Sequence, residues 1–140
     1  MSVNETLPDR VANVTAGGPI VFKVKKEAPI EDPDDIRFIL GDTYVSRVYF
    51  ESKPMEQKTA TLAYMLERLD PDKFVRINKH VIIKICLVKN FEKCVRTGFV
   101  KLFGGDEFEV SELYLIRFEN MYNEMEQQRE FWKYVINPSC

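Results

Sequence analysis

Apolar and polar residues alternate along several short stretches of the chain, and an alternation with a period of two predicts β-strands. The clearest example is residues 74–85, where apolar side chains alternate with Arg, Asn and Lys. Residues 81–88 are apolar almost throughout, which predicts a well-buried strand. We expect strands at residues 20–25, 36–40, 44–50, 74–77, 81–88, 95–103 and 107–110, with breaks at Asn90 and at Gly104-Gly105.

A helical period appears in two places. Residues 59–69 carry an apolar stripe at helical spacing, with Thr59 as a suitable N-cap and Pro71 as a stop signal. The stripe consists of Leu62, Met65, Leu66 and Leu69.

A longer helix is predicted over residues 111–136, where mostly apolar residues recur at spacings of three and four. Such a seam either pairs two chains into a homodimer or folds back over the sheet of its own domain, and the sequence leaves both alternatives open. The seam consists of Tyr114, Phe118, Met121, Met125, Gln128, Trp132 and Val135.

The chain of 140 residues has the length of a single domain with a tail at each end. Residues 1–19 are predicted to be a flexible arm, residues 20–122 the folded domain and residues 123–140 a helical extension. The sequence contains neither a secretion signal nor an apolar run long enough to span a membrane, so we expect a cytoplasmic protein. Its three cysteines form no CxxC pair, which argues against a zinc site and favours reduced thiols.

Charge is distributed unevenly along the chain. Residues 70–101 hold eight basic and three acidic side chains, whereas residues 102–140 hold three basic and eight acidic ones. Asn78, Lys79 and His80 lie between two apolar segments, so we expect them in a turn. Hydrogen-bonding side chains on a turn suit phosphates and base edges, although a solvated loop explains the same composition.

Catalysis finds little support in the sequence. His80 is the only histidine, and the patterns of serine hydrolases, zinc proteases and P-loop enzymes are absent. We therefore predict a protein that is not an enzyme and that carries neither a cofactor nor a metal.

Three runs, taken in order, resemble the LytTR domain, the DNA-binding output module of many bacterial response regulators. Residues 74–84 resemble the family's Phe-x-Arg-Ile/Val-His-Arg-Ser-Tyr-Leu-Val-Asn stretch, which follows a short helix. Residues 41–45 resemble its Gly-Asn-Tyr-Val hairpin, and residues 104–112 resemble its Asn-Gly turn followed by Val-Ser-Arg. The family's last Arg, a DNA contact, is replaced by Glu112.

The resemblance implies a mainly β fold of short antiparallel sheets, with one short helix and a long C-terminal helix. It implies a sequence-specific transcriptional regulator that binds double-stranded DNA, here without a receiver domain. The implied DNA contacts are Lys79, Asn78, His80, Arg47, Ser46, Arg76 and Lys84, with Lys73 and Lys101 as weaker phosphate contacts.

Two alternatives remain open. Glu112 and the acidic last third of the chain fit a protein-interaction module that has lost DNA binding and acts through the C-terminal helix. Exposed aromatic residues such as Tyr44 and Tyr49 would suit single-stranded RNA.

Overall fold

The computed structural model describes residues 30–135, with side chains as far as Phe131. The predicted arm at residues 1–19 and the predicted strand at residues 20–25 lie outside the described residues. The elements are β1 (Ile36–Gly41), β2 (Ser46–Phe50), β3 (Glu56–Lys58), α1 (Leu62–Glu67), β4 (Phe74–Asn78), β5 (Val81–Lys84), β6 (Val88–Lys93), β7 (Gly98–Leu102), β8 (Glu107–Val110) and α2 (Glu112–Val135), with single 3₁₀ turns at Pro33–Asp35 and Ile85–Leu87.

The eight strands form two antiparallel sheets. The larger sheet has the order β3-β2-β1-β5-β4, and the smaller sheet has the order β6-β7-β8. The predicted fold class, a mainly β arrangement with one short and one long helix, is confirmed.

The larger sheet is buried on both faces. One face packs against the smaller sheet and α2 through a cluster that includes Val75, Ile83 and Phe118. The other face packs against α1 through a cluster that includes Ile39 and Ile82. Burial on both faces explains why residues 81–88 are apolar almost without alternation.

The single strand predicted at residues 81–88 is wrong. The chain leaves β5 at Lys84, makes a 3₁₀ turn over Ile85–Leu87 and enters the smaller sheet at Val88. The run is apolar because this corner is packed beneath both sheets, and burial without alternation does not distinguish an extended backbone from a corner. The predicted break at Asn90 is also wrong, because Asn90 lies within β6 and pairs with Lys101.

Helix α1 is shorter than predicted and begins later. Thr61, rather than Thr59, is the N-cap, and its Oγ1 accepts a hydrogen bond from the Tyr64 amide at 3.1 Å. Leu62 and Met65 are buried as the stripe predicted.

Helix α2 folds back over its own domain. Phe118 is fully buried, and Met121 and Met125 pack against the same core cluster. Farther along, the Arg129 guanidinium donates hydrogen bonds to the Cys86 carbonyl at 2.9 Å and to the Val88 carbonyl at 3.0 Å. Of the two alternatives for the seam, the part as far as Met125 therefore covers the domain's own core.

Two further sequence expectations concern the cysteines and the membrane. Cys94 is exposed and its thiol is free. Over residues 30–135, neither α-helix is long and apolar enough to cross a bilayer.

The packing of α2 predicts unequal effects for two substitutions on the same helix. We expect Phe118→Ala to lower the free energy of unfolding by about 3–5 kcal/mol, because it opens a cavity in the core. Leu113→Ala, at a side chain that is 83% exposed, should change it by no more than about 0.5 kcal/mol. Urea unfolding of both variants measures the difference, and equal effects would contradict the packing of α2.

Candidate nucleic-acid interface

Three turns lie at one end of the domain. The β1–β2 turn (residues 42–45) adjoins the β4–β5 turn (residues 79–80), because the Gly41 amide donates to the His80 carbonyl at 2.8 Å. The end of β8 lies beside the end of β4, because the Ser111 amide donates to the Ile77 carbonyl at 2.9 Å. We call the β1–β2 turn, the β4–β5 turn and the β6–β7 turn (residues 94–97) together the turn end of the domain.

The β6–β7 turn belongs to this end through strand pairing. Gly98 at the start of β7 pairs with Val110 at the end of β8, and Lys93 at the end of β6 pairs with Gly98. The β6–β7 turn therefore projects past the end of β8, at the same end of the domain as the end of β4.

Asn78 shapes the β4–β5 turn with both ends of its amide. Its Oδ1 accepts a hydrogen bond from the His80 amide at 2.7 Å, and its Nδ2 donates to the Glu109 carbonyl at 2.7 Å. The first bond is the side-chain turn that favours Asn at such positions. The second joins the two sheets, so Asn78 fixes the turn to its neighbour β8.

Arg76 also stabilises the β4–β5 turn, through hydrogen bonds to its backbone. Its Nε donates to the Asn78 carbonyl at 3.2 Å, and one terminal nitrogen donates to the Lys79 carbonyl at 2.7 Å. The guanidinium also lies 5.6 Å from the ring centre of Tyr114. These bonds occupy two carbonyl groups of the turn, so Arg76 positions the turn rather than pointing freely into solvent.

His80 connects the β4–β5 turn to the β1–β2 turn. Its Nδ1 lies 3.0 Å from the Gly41 carbonyl oxygen. A carbonyl oxygen only accepts, so this contact requires a proton on Nδ1 and leaves Nε2 as an acceptor in the neutral ring. Beside these groups is a pocket of about 230 Å³ between the two turns and the start of α1. Its lining includes Asp42, Thr43, Thr61, Arg76, Lys79 and His80.

Lys79 is exposed and makes no ion pair within residues 30–135. Two cations at the opposite end of the domain are paired: Lys53 with Asp32 at 3.0 Å and Lys73 with Asp34 at 3.3 Å. The hydrogen bond to Asp32 raises the pKa of the Lys53 ammonium above its ordinary value. Lys79 is thus more available to an anionic ligand than either of these two lysines.

Two residues in the predicted contact set are not at this surface. Ser46 is fully buried, and its hydroxyl donates to the Ala60 carbonyl at 2.7 Å. Lys84 is 6% exposed and donates to the Asp34 carbonyl at 2.5 Å, at the end of β5 away from the turns. The sequence pattern did not predict the burial of Lys84. A lysine among apolar residues indicates a solvent-facing position unless both faces of the strand are known to be buried.

The other basic candidates divide between the two ends. Arg47 lies beside the β1–β2 turn, half-buried and 3.9 Å from an Asp42 carboxylate oxygen. Lys101 lies 3.9 Å from Glu107, near the Gly104-Gly105 turn at the opposite end of the smaller sheet. The turn end thus brings together Lys79, Asn78, His80, Arg76 and Arg47 from the predicted set.

The turn end also carries two acidic residues, of which Glu112 replaces the family's Arg, and a cation that is not among the predicted DNA contacts. Glu109 and Glu112 are exposed beside the end of β8. Arg96 is exposed in the β6–β7 turn, where the sequence pattern predicted the beginning of a strand. The sequence feature that could have predicted this turn is the pair Arg96-Thr97 before Gly98, but the same residues also fit a strand.

Comparison with known proteins gives matches of two kinds. Residues 28–123 match the family model described as the LytTr DNA-binding domain. The fold is similar to a solved structure of a LytTr DNA-binding domain from Bacillus cereus, with a TM-score of 0.58 and 17% sequence identity over 64% of this chain and 82% of that chain. None of the curated proteins matches the sequence.

The bonds of Asn78 predict a local effect of its removal. Asn78→Ala deletes the acceptor of the His80 amide, so hydrogen exchange of that amide should become faster, while the amide of Ile82 in the buried sheet stays protected. We expect the free energy of unfolding to fall by about 1 kcal/mol. Unchanged exchange at His80 in an NMR experiment would show that the side chain does not hold the turn.

Proposed function

Because the chain belongs to the LytTr DNA-binding domain family, we propose that it is a transcriptional regulator that binds double-stranded DNA in a sequence-specific manner through its turn end. The observation that carries this proposal is Lys79, which is exposed and has no ion pair within residues 30–135, on a turn whose backbone is held by Asn78 and Arg76. A rigid turn reduces the entropy lost when its side chains bind.

The proposed roles within the turn end follow from the bonds of each side chain. Lys79 contacts phosphate, and Arg47 offers a second, partly available cation. Asn78 and Arg76 act mainly as positioning residues, since their polar groups are already used within the turn. Ser46 and Lys84 are left out of the proposed interface because both side chains are buried.

His80 is the proposed reader of base identity. Its Nδ1 faces the Gly41 carbonyl, so Nε2 of the neutral ring is left to accept a hydrogen bond. In the major groove, adenine and cytosine present amino groups as donors, whereas guanine presents only acceptors. The geometry therefore favours an adenine or a cytosine opposite His80.

The proposal extends to the location of the protein and to its oligomeric state. We propose a cytoplasmic location, because a bacterial DNA-binding protein meets its DNA there. A homodimer through the C-terminal helix gains no support from residues 114–125, because that part of the seam covers the domain's own core. The alternative of an interaction module that uses this seam is weakened for the same reason.

The proposed phosphate contact predicts how salt affects binding. Affinity for duplex DNA should fall steeply with salt, and Lys79→Ala should reduce the slope of log affinity against log salt by about 0.9, the value for one phosphate contact. Fluorescence anisotropy with a labelled duplex, repeated over a salt series, measures this slope.

Lys73→Ala is the matched control. It removes an exposed lysine at the opposite end of the domain, where Asp34 pairs with it, and should leave the slope unchanged. Duplex binding that does not depend on salt, or equal slopes for both variants, would refute the assigned interface.

A further inference from the structure

The β6–β7 turn is a compact, ordered element rather than a loose loop. The Cys94 amide donates to the Thr97 carbonyl at 2.8 Å and closes the four-residue turn. Strand pairing continues to the edge of the turn, where Lys93 pairs with Gly98. The base of the turn is therefore fixed by a backbone hydrogen bond and by the strand pairing next to it.

The side chains at this tip point into solvent. Val95 is 92% exposed, and Arg96 is exposed and makes no ion pair with any residue of the described range. Lys93, at the base of the turn, lies 3.3 Å from Glu119 of α2 and is therefore partly neutralised. As far as the described part of the chain shows, Arg96 is thus the cation of this turn without an ion-pair partner.

The position of Arg96 relative to Lys79 follows from the contacts between the sheets. Asn78, the neighbour of Lys79, is bonded to Glu109 of β8, and β8 pairs with the beginning of β7 directly after the Arg96 turn. Lys79 and Arg96 therefore project from the same end on opposite sides of β8. Glu109 near the end of β8 and Glu112 at the start of α2 are also exposed.

We propose that Arg96 forms a second phosphate-binding site at the turn end, separate from the site at Lys79. This inference rests on the proposed function. A guanidinium matches the two oxygens of a phosphodiester through paired hydrogen bonds. Because the end of β8 separates Lys79 from Arg96, the DNA backbone meets the protein at two separate points.

The chain offers a closely matched control for the test. Lys89 lies on the same hairpin, is exposed and makes no ion pair within residues 30–135, but it is near the start of β6, at the opposite end of the smaller sheet. Arg96→Ala and Lys89→Ala remove the same formal charge from the same sheet. Any difference in DNA binding between the two variants therefore reflects the position of the lost charge rather than the net charge of the protein.

The experiment measures the fluorescence anisotropy of labelled duplexes over a salt series as the full chain is added. One duplex has a sequence selected for binding to this protein, and the other has the same bases in scrambled order. Arg96→Ala should weaken binding to both duplexes by the same factor and reduce the salt slope by about 0.9. Lys89→Ala should match the wild type, and Arg96→Lys should retain the wild-type slope, because it keeps the charge.

Each other outcome has a defined meaning. If Lys79→Ala lowers the slope while Arg96→Ala behaves like Lys89→Ala, this inference is wrong and the proposed function stands. A loss of binding to the selected duplex alone would overturn the phosphate assignment in favour of base contact. If the wild-type chain binds neither duplex, the proposed function itself fails.

Discussion

The antiparallel pairing of β1 with β5 is the constraint on which the proposed interface depends. It is central to the larger sheet, and its last hydrogen bond joins Gly41 to His80 across two turns. The approach is close: a Cβ atom on Gly41 would lie 2.4 Å from Cγ of Leu62, a buried residue of α1. The packing of α1 and the relative position of the two turns are therefore set by the same few atoms.

Lys79 is available to a polyanion because no ion pair within residues 30–135 neutralises it. At the opposite end several cations pair with nearby carboxylates, including Arg37 with Asp106 and Lys53 with Asp32. At the turn end, backbone carbonyls and the Asn78 amide satisfy the polar groups of the turn, and Lys79 is left for a partner. A net charge of −2 for the whole chain is thus compatible with a local surface for a polyanion.

The sequence predicted the fold class and most strands, because alternation reports burial on one face and the family motifs fix their order. It predicted residues 107–110 with the bounds of β8 and placed the break at Gly104-Gly105, whose positive φ angles favour glycine. It could not place the corner at residues 85–87 or the start of β7, because these depend on where the chain changes sheet. Among site residues, Lys79 lay in the predicted turn, whereas the burial of Ser46 and Lys84 depends on contacts distant in sequence.

The proposed interface confines DNA binding to the turn end of the domain. NMR of the ¹⁵N-labelled chain tests this by following the amide chemical shifts as a duplex is added at low salt. The largest changes should fall in residues 42–45, 78–80 and 94–97. Changes concentrated at the opposite end, for example around Asp34 and the Gly104-Gly105 turn, or no changes at all, would contradict it.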